Sequence, residues 1–397
     1  MINWFANKQI DKEKVIDALY KWNPIFLRDL ARIKNGMFLV GRYVKIRVYK
    51  ILTLYEWRNS KLNYPRTLQL PVTNRCNLDC VMCNIRSKEF KGEITLEDFK
   101  KMLRDPIFGE VRSVGLNGGE PFLVQDIVER VEILVETLPK LQYIYIISNG
   151  ILVDLIKRKL PEIKSVCENA NKKLTVSISL DGVGEVHDEV RAMKGAYAKT
   201  LETIEMIQNA PQKYCDNFNI ICTISKYNVF HLYEIEKEAK RNDWPISYNV
   251  ATMHERLNNK CKYEAFGVDT DDVAREMACE FFFKKFAETG SETYYALFKY
   301  LEKKCPQRIC GCNYLKKAIT ITPEGEICYC ATHSEAIGTI YEARSIKEIY
   351  FSNETYNEEI RKRYCLQCSH YMSNDIKKGY FPELLKWFTV RHHKYKV

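Results

Sequence analysis

The chain has 397 residues, 46% of them hydrophobic and 28% charged, which excludes disordered and fibrous classes and allows one large or two moderate cores. No apolar run reaches the roughly eighteen residues of a membrane span, and the start MINWFANKQIDKEK lacks the layout of a signal peptide, so a reducing cytoplasm is the expected compartment. Fifteen cysteines in such a compartment point to metal or redox chemistry rather than to disulfides. The net charge of +10 is uneven: residues 1–66 hold 14 Lys and Arg against 5 Asp and Glu, a net of +9, which leaves +1 for everything after them.

Within that basic segment, GMFLVGRYVKIRVYKILTLYEWRNSKL interleaves Phe38, Leu39, Val44, Ile46, Tyr49, Leu52 and Trp57 with Arg42, Lys45, Arg47, Lys50 and Arg58. Such a helical extension suits an anionic membrane surface, or it packs its apolar side on the main domain and shows a solvated basic face. No base-reading motif accompanies the charge, so nucleic acid is not an expected partner. From about Pro65 strands and helices alternate. Strands are predicted at 68–73, 111–117, 143–148, 174–180, 218–224 and 246–250, with helices at 96–103, 124–138, 152–169, 200–208 and 232–241 between them. The fold class is therefore α/β, a partial (β/α)6 TIM-like barrel with its site at the C-terminal ends of the strands.

The run TNRCNLDCVMCN falls directly after the first predicted strand and places Cys76, Cys80 and Cys83 in C-x3-C-x2-C spacing. Chance would produce this spacing about 0.02 times in a chain of this composition. Structural zinc wants a closed tetrahedron, and no fourth Cys or His lies nearby. Three thiolates on a cubane [4Fe–4S] cluster instead leave one iron open to a substrate or cofactor.

This motif after the first strand of a six-unit barrel resembles the radical S-adenosylmethionine (SAM) superfamily. The resemblance implies that the open iron chelates SAM, and that an electron from the cluster cleaves the sulfonium to a 5′-deoxyadenosyl radical that abstracts hydrogen from an unactivated C–H bond. It implies an electron donor such as flavodoxin or ferredoxin. Met82 matches the position that packs near the adenine. Gly118, Gly119 and Glu120 in LNGGEP are similar to the family's GGE motif, with the glycines admitting a close ligand and Glu120 an acceptor for the SAM ammonium. Ser148 and Asn149 match a nucleoside-positioning site, and Ser179 and Asp181 a ribose contact. Arg191 resembles the arginine that pairs with the SAM carboxylate, although an ordinary salt bridge explains it nearly as well. Thr223 and Ile221 are candidates for the adenine pocket, with a strand-core role the plainer alternative.

The C-terminal third carries CGCNYLKKAITITPEGEICYC and YCLQCSHY. ITPEG predicts a β-hairpin that brings Cys312 and Cys330 together, and Cys365 and Cys368 complete four thiolates. Spacing alone fits zinc or an iron–sulfur cluster equally. The arrangement resembles the twitch form of the SPASM extension of radical SAM enzymes, which implies one auxiliary [4Fe–4S] cluster as electron acceptor. Cys310 and Cys328, and more weakly Cys305, compete as ligands. Cys167, Cys215, Cys222, Cys261 and Cys279 read as core residues or free thiols.

The domains expected are a basic amphipathic extension at 1–66, the barrel at 67–255, a helical linker at 256–304, a small α+β twitch unit at 305–372 and a C-terminal helix or tail at 373–397. His254 and Glu255, after the sixth strand, are candidate proton-transfer residues, with Asn117 and Asn249 as weaker ones. The layout is similar to that of a twitch-type aminocyclitol dehydrogenase, so oxidation or rearrangement of a sugar, cyclitol or lipid-linked glycan is the first expectation. The basic N-terminus and LLKWFTVRHHKYKV suit a small-molecule or lipid-linked substrate at the inner membrane face. The alternatives are peptide crosslinking and a zinc scaffold without catalysis.

Overall fold

A computed structural model describes residues 62–370 apart from 90, 290 and 303–311. The expected amphipathic extension up to residue 61, Cys305, Cys310 and the 373–397 tail lie outside the described residues. Six parallel strands form the frame: β1 (Thr67–Thr73), β2 (Ser113–Gly118), β3 (Tyr143–Ser148), β4 (Lys173–Ser179), β5 (Asn217–Ile224) and β6 (Ile246–Val250). The intervening helices are α1 (Leu96–Leu103), α2 (Ile127–Thr137), α3 (Val153–Asn169), α4 (Glu185–Arg191), α5 (Ala196–Asn209) and α6 (Leu232–Arg241).

The predicted bounds move where local hydrogen bonding intervenes. Val111 closes a short 3-10 turn over Pro106–Glu110, so β2 begins at Ser113. The Glu120 carboxylate caps a turn over Pro121–Leu123, which delays the helix predicted from residue 124 until Ile127. The helix predicted at 200–208 starts earlier, at Ala196, because the Asp188 carboxylate accepts from the backbone N–H groups of Gly195 and Tyr197 and fixes its first turn.

After β6 come the helices α7 (Asp272–Thr289) and α8 (Glu292–Leu301). A short helix α9 (Asn313–Lys317) leads into β7 (Ala318–Ile321), which pairs in parallel with β1 through Thr67–Ala318, Leu68–Ile319 and Gln69–Thr320. The hairpin predicted from ITPEG is then made by β7 with β8 (Glu326–Cys328), and β9 (Gly338–Thr339) adds antiparallel to β8. One sheet of order β6-β5-β4-β3-β2-β1-β7-β8-β9 thus runs from barrel into hairpin. Helices α10 (Ile346–Ser352) and α11 (Glu354–Arg363) follow. The Asp105 carboxylate, before β2, accepts from the backbone of Ile346 and Lys347 and anchors the start of α10.

The two faces of the barrel sheet differ sharply. The outward residues Leu68, Leu70, Val114, Leu116, Ile144, Ile146, Leu174, Val176 and Ile178 are no more than 3% exposed, and each contributes about 1.5–3 kcal/mol by burial. The inward positions are mostly polar or small: Thr67, Gln69, Ser113, Gly115, Asn117 and Ser177, joined by Tyr145, Ile147 and Ile221. Barrels of this kind ordinarily fill their interior with branched apolar side chains. Here that filling is missing, and a lumen of about 510 Å³ remains.

Ile144→Ala is expected to cost about 2–5 kcal/mol in a urea melt, whereas Ser177→Ala, facing the lumen, is expected to cost less than about 1 kcal/mol.

Candidate active site at the strand ends

The cysteine loop leaves β1 at a register irregularity between Pro71 and Thr73, where proline supplies no N–H for the ladder. Its backbone lies directly against the turn after β2: Gly119 N–H donates to Thr73 O (2.7 Å) and Glu120 N–H to Arg75 O (2.9 Å). Both glycines are required by this approach. A Cβ on Gly118, whose φ is +132°, would stand 2.3 Å from Thr73 O, and one on Gly119 2.0 Å from Arg75 O. The space these glycines provide is thus filled by the cysteine loop itself. Asn74 Nδ2 donates to Glu324 in the β7–β8 turn, which ties the same loop to the hairpin.

Cys76, Cys80 and Cys83 are each half-buried and free of disulfides. Cys76 and Cys80, like Met193, pack against Leu78, Ile151 and Ala196. Burial pushes the Cys76 thiol up to about 11 and raises that of Cys83 as well, so these thiols release their protons to a metal centre rather than to water. Donors converge on the sulfurs: Asn149 Nδ2 lies 3.9 Å from Cys76 Sγ and Arg191 Nη1 3.7 Å from Cys80 Sγ.

Several residues expected to meet a ligand are engaged within the protein. Glu120 is fully buried, and its carboxylate accepts from Phe122 N (3.2 Å), Ser148 Oγ (2.9 Å) and Asn149 N (2.8 Å). It therefore joins the ends of β2 and β3. Ser148, 1% exposed, spends its hydroxyl on Glu120 and on Gly150 N. Asp181, also 1% exposed, accepts from Thr223 N (2.8 Å) and pairs with Arg191 Nη2 (2.6 Å), so its carboxylate joins β4 to β5. The ordinary salt bridge is thus the contact Arg191 makes with its Nη2, while its buried Nε has no hydrogen-bond partner. Asn149, 7% exposed, bonds Asn77 Oδ1 and Ile151 N. Ser179 and Thr223 are half-buried on the ends of β4 and β5, and the half-buried Met82 offers its carbonyl to Asn259 Nδ2 (2.9 Å).

The rim contains residues the sequence reading passed over. His187 is fully buried, accepts from Asp181 N at Nδ1 (3.0 Å) and meets Thr200 Oγ1 at Nε2 (3.4 Å); Thr200 in turn donates to Asn149 O. Burial holds this imidazole neutral, well below the usual histidine range. Asn228 donates to Asp181 O and Thr223 O and accepts from Ser225 N. Single buried polar residues carry no periodic signal, and only the HD pair of HDEVR beside Arg191 hinted at His187.

Cys312, Cys330, Cys365 and Cys368 line one small cavity together with Tyr314, His333 and His370. The hairpin brings Cys312 and Cys330 together as the sequence suggests, while Cys328, on β8 opposite Thr320, does not line that cavity. Among the described residues no group of three His, Cys, Asp or Glu side chains is placed to hold a single metal ion. Tyr314 lines both the four-cysteine cavity and the barrel lumen. Its hydroxyl accepts from Gln69 Nε2 (3.3 Å), whose Oε1 accepts from Asn117 Nδ2 (3.2 Å). Gly115 makes room for this amide: a Cβ there would lie 2.8 Å from Gln69 Oε1.

The loop after β6 joins the two cysteine regions. Glu255 N donates to Thr332 O (2.8 Å), Asn84 N to Leu257 O (3.1 Å), and Asn259 Nδ2 to both Met82 O and Thr252 O. Glu255 is exposed. His254 is half-buried with Nδ1 shut off from solvent and unpartnered. Burial, then the Arg256 guanidinium, hold it well below the usual histidine range.

Residues 70–239 match the family model of the Radical SAM superfamily. This chain carries a radical SAM domain. Among curated relatives, the antilisterial bacteriocin subtilosin biosynthesis protein AlbA of Bacillus subtilis is 35% identical over 35% of this chain and 29% of its own length. AdoMet-dependent heme synthase of Methanosarcina barkeri is 31% identical over 48% of this chain and 52% of its own. The cysteine-type anaerobic sulfatase-maturating enzyme of Clostridium perfringens is 26% identical over 49% of this chain and 53% of its own. The chain spans about half or less of the length of these relatives. In fold, the solved anSMEcpe with bound AdoMet superposes with a TM-score of 0.55 at 19% identity, covering 82% of this chain and 96% of that one. Radical SAM domains work with a [4Fe–4S] cluster and SAM. The site fits an anionic cluster: three thiols lie on one loop, and two arginines nearby, Arg191 and Arg256, hold buried nitrogens without partners.

Burial raises the Glu120 carboxyl from 4.5 to about 7. The folded state therefore holds this proton more tightly than the unfolded chain, and the group's contribution to stability is full below pH 4.5 and declines until about pH 7. Glu120→Gln is expected to flatten that decline in melts taken across this range. It is also expected to cost about 2 kcal/mol or more at neutral pH, because its amide NH2 confronts the donors of Asn149 and Ser148.

Proposed function

We propose that this protein is a radical SAM enzyme that modifies a peptide, with Cys76, Cys80 and Cys83 holding the SAM-binding [4Fe–4S] cluster and Cys312, Cys330, Cys365 and Cys368 an auxiliary [4Fe–4S] cluster. The observation that carries it is the polar lumen, which reaches Asn117, Ile147 and Ile221 near the strand ends and is separated from the four-cysteine cavity by Tyr314. A side chain entering that lumen would meet Tyr314, which also lines the four-cysteine cavity. The volume of about 510 Å³ holds a side chain with part of its backbone.

When bound, the cluster and SAM supply one-electron cleavage of the sulfonium and hydrogen abstraction from an unactivated C–H bond. The chain's own residues prepare the place. Glu120, His187, Asp181 and Asn228 fix the strand ends, Arg191 places positive charge at Cys80, and Gln69, Asn117 and Tyr314 offer amide and hydroxyl groups to a polar substrate. An oxidising outcome, with the auxiliary site taking up the second electron, belongs to this reading.

The relatives support the peptide reading over the sugar, cyclitol or lipid-linked glycan first expected. AlbA is named for the biosynthesis of a bacteriocin and the Clostridium perfringens enzyme for the maturation of a sulfatase, both polypeptides. Among the described residues no helix is long and apolar enough to cross a membrane. Attachment to an anionic membrane surface through residues 1–66 remains part of the proposal on charge alone.

Anaerobically reconstituted, dithionite-reduced protein is expected to form 5′-deoxyadenosine from SAM. The triple variant Cys76→Ala, Cys80→Ala, Cys83→Ala is expected to form none while retaining about four irons per chain. With a short precursor peptide encoded beside the gene, 5′-deoxyadenosine formation should rise and the peptide should lose two hydrogens by mass spectrometry. Stimulation by a cyclitol or sugar nucleotide and not by peptide would overturn the substrate assignment.

A further inference from the structure

Arg256 sits in the loop after β6 that is held on one side by the cysteine loop, through Asn84 N–Leu257 O (3.1 Å) and Asn259 Nδ2–Met82 O (2.9 Å). On the other side the loop is held next to Cys330, through Glu255 N–Thr332 O (2.8 Å). Its Nε and Nη1 are sealed from solvent and have no hydrogen-bond partner. The Cys83 thiol and the Glu324 carboxylate are the groups that favour its charge against the cost of burial. Guanidinium donors sealed from water and left unpaired carry an uncompensated desolvation cost, so an anion beside Cys83 is the partner this geometry lacks.

We propose that Arg256 is a positioning residue that donates to the sulfurs of the cluster carried by Cys76, Cys80 and Cys83, and thereby raises its reduction potential. The inference rests on the cluster assignment given above. Donors and positive charge at cluster sulfur favour the reduced, more negative state. Arg191 Nη1 stands 3.7 Å from Cys80 Sγ, and Arg256 would approach from the loop bound to the second cysteine region.

The test is an EPR redox titration of the reconstituted full chain, with the first cluster identified as the signal that changes when SAM is added. In SAM-free protein, Arg256→Gln should shift the midpoint of that signal to more negative potential. The ratio of oxidised to reduced cluster at a fixed potential should change by about tenfold, about 59 mV for a one-electron couple. Arg256→Lys, which keeps the charge, should shift it less, and iron content with thermal melting shows that both variants are folded and loaded. An unchanged midpoint in loaded Arg256→Gln overturns the proposal, and an unchanged midpoint with weakened SAM binding does so by assigning the guanidinium to the SAM carboxylate. If the wild-type protein shows no SAM-sensitive signal, the cluster assignment itself fails, which separates the two readings.

Discussion

The architecture of the site depends on how closely the turn after β2 approaches the cysteine loop. Two backbone hydrogen bonds, Gly119 N to Thr73 O and Glu120 N to Arg75 O, hold the loop against that turn, and no side chain fits between them. Glycine at 118 and 119 is thus a requirement of packing before it is one of chemistry. Once the turn is in place, Glu120 is driven inward, and its buried carboxylate finds compensation in Phe122 N of its own turn and in the N–H and O–H groups at the end of β3. The brace then continues around the rim, from Asn149 through Thr200 and His187 to Asp181, and from Asp181 to Thr223 and Arg191. These links pair polar groups of neighbouring strand ends with one another, while the buried Arg191 Nε has no hydrogen-bond partner.

The alternation of strands and helices made the barrel legible, because its outward strand positions are continuously apolar and its helices recur at barrel spacing. Cys76, Cys80 and Cys83 were legible from spacing, and Gly118 and Gly119 from their place after the second strand. The roles of Glu120, Ser148 and Asp181 were not. A sequence gives the position of a carboxylate at a strand end but not whether it turns toward solvent or into the protein, and here burial against neighbouring N–H groups decided. The pairing of β7 with β1 joins residues some 250 positions apart and leaves no local trace. Arg256 and Asn259 escaped notice for a similar reason: their meaning lies in what the loop after β6 touches on either side.

Two features connect the barrel to the second cysteine region. The sheet passes without a break from β1 into β7, so the hairpin carrying Cys330 is placed by strand pairing and not by side-chain docking alone. Tyr314 then forms a thin wall shared by the lumen and the four-cysteine cavity, with its hydroxyl held by Gln69. The position of this ring is thus set from the barrel interior, and with it one side of the four-cysteine cavity.

The unfilled interior has an evolutionary consequence. A barrel that draws its cohesion from the outer side of its strands can exchange the residues lining its hollow at low thermodynamic risk, since Thr67, Ser113, Asn117 and Ser177 support no packed layer. Descendants of such a chain could acquire new substrates by rewriting those positions alone, while the apolar exterior and the laced rim stayed under constraint.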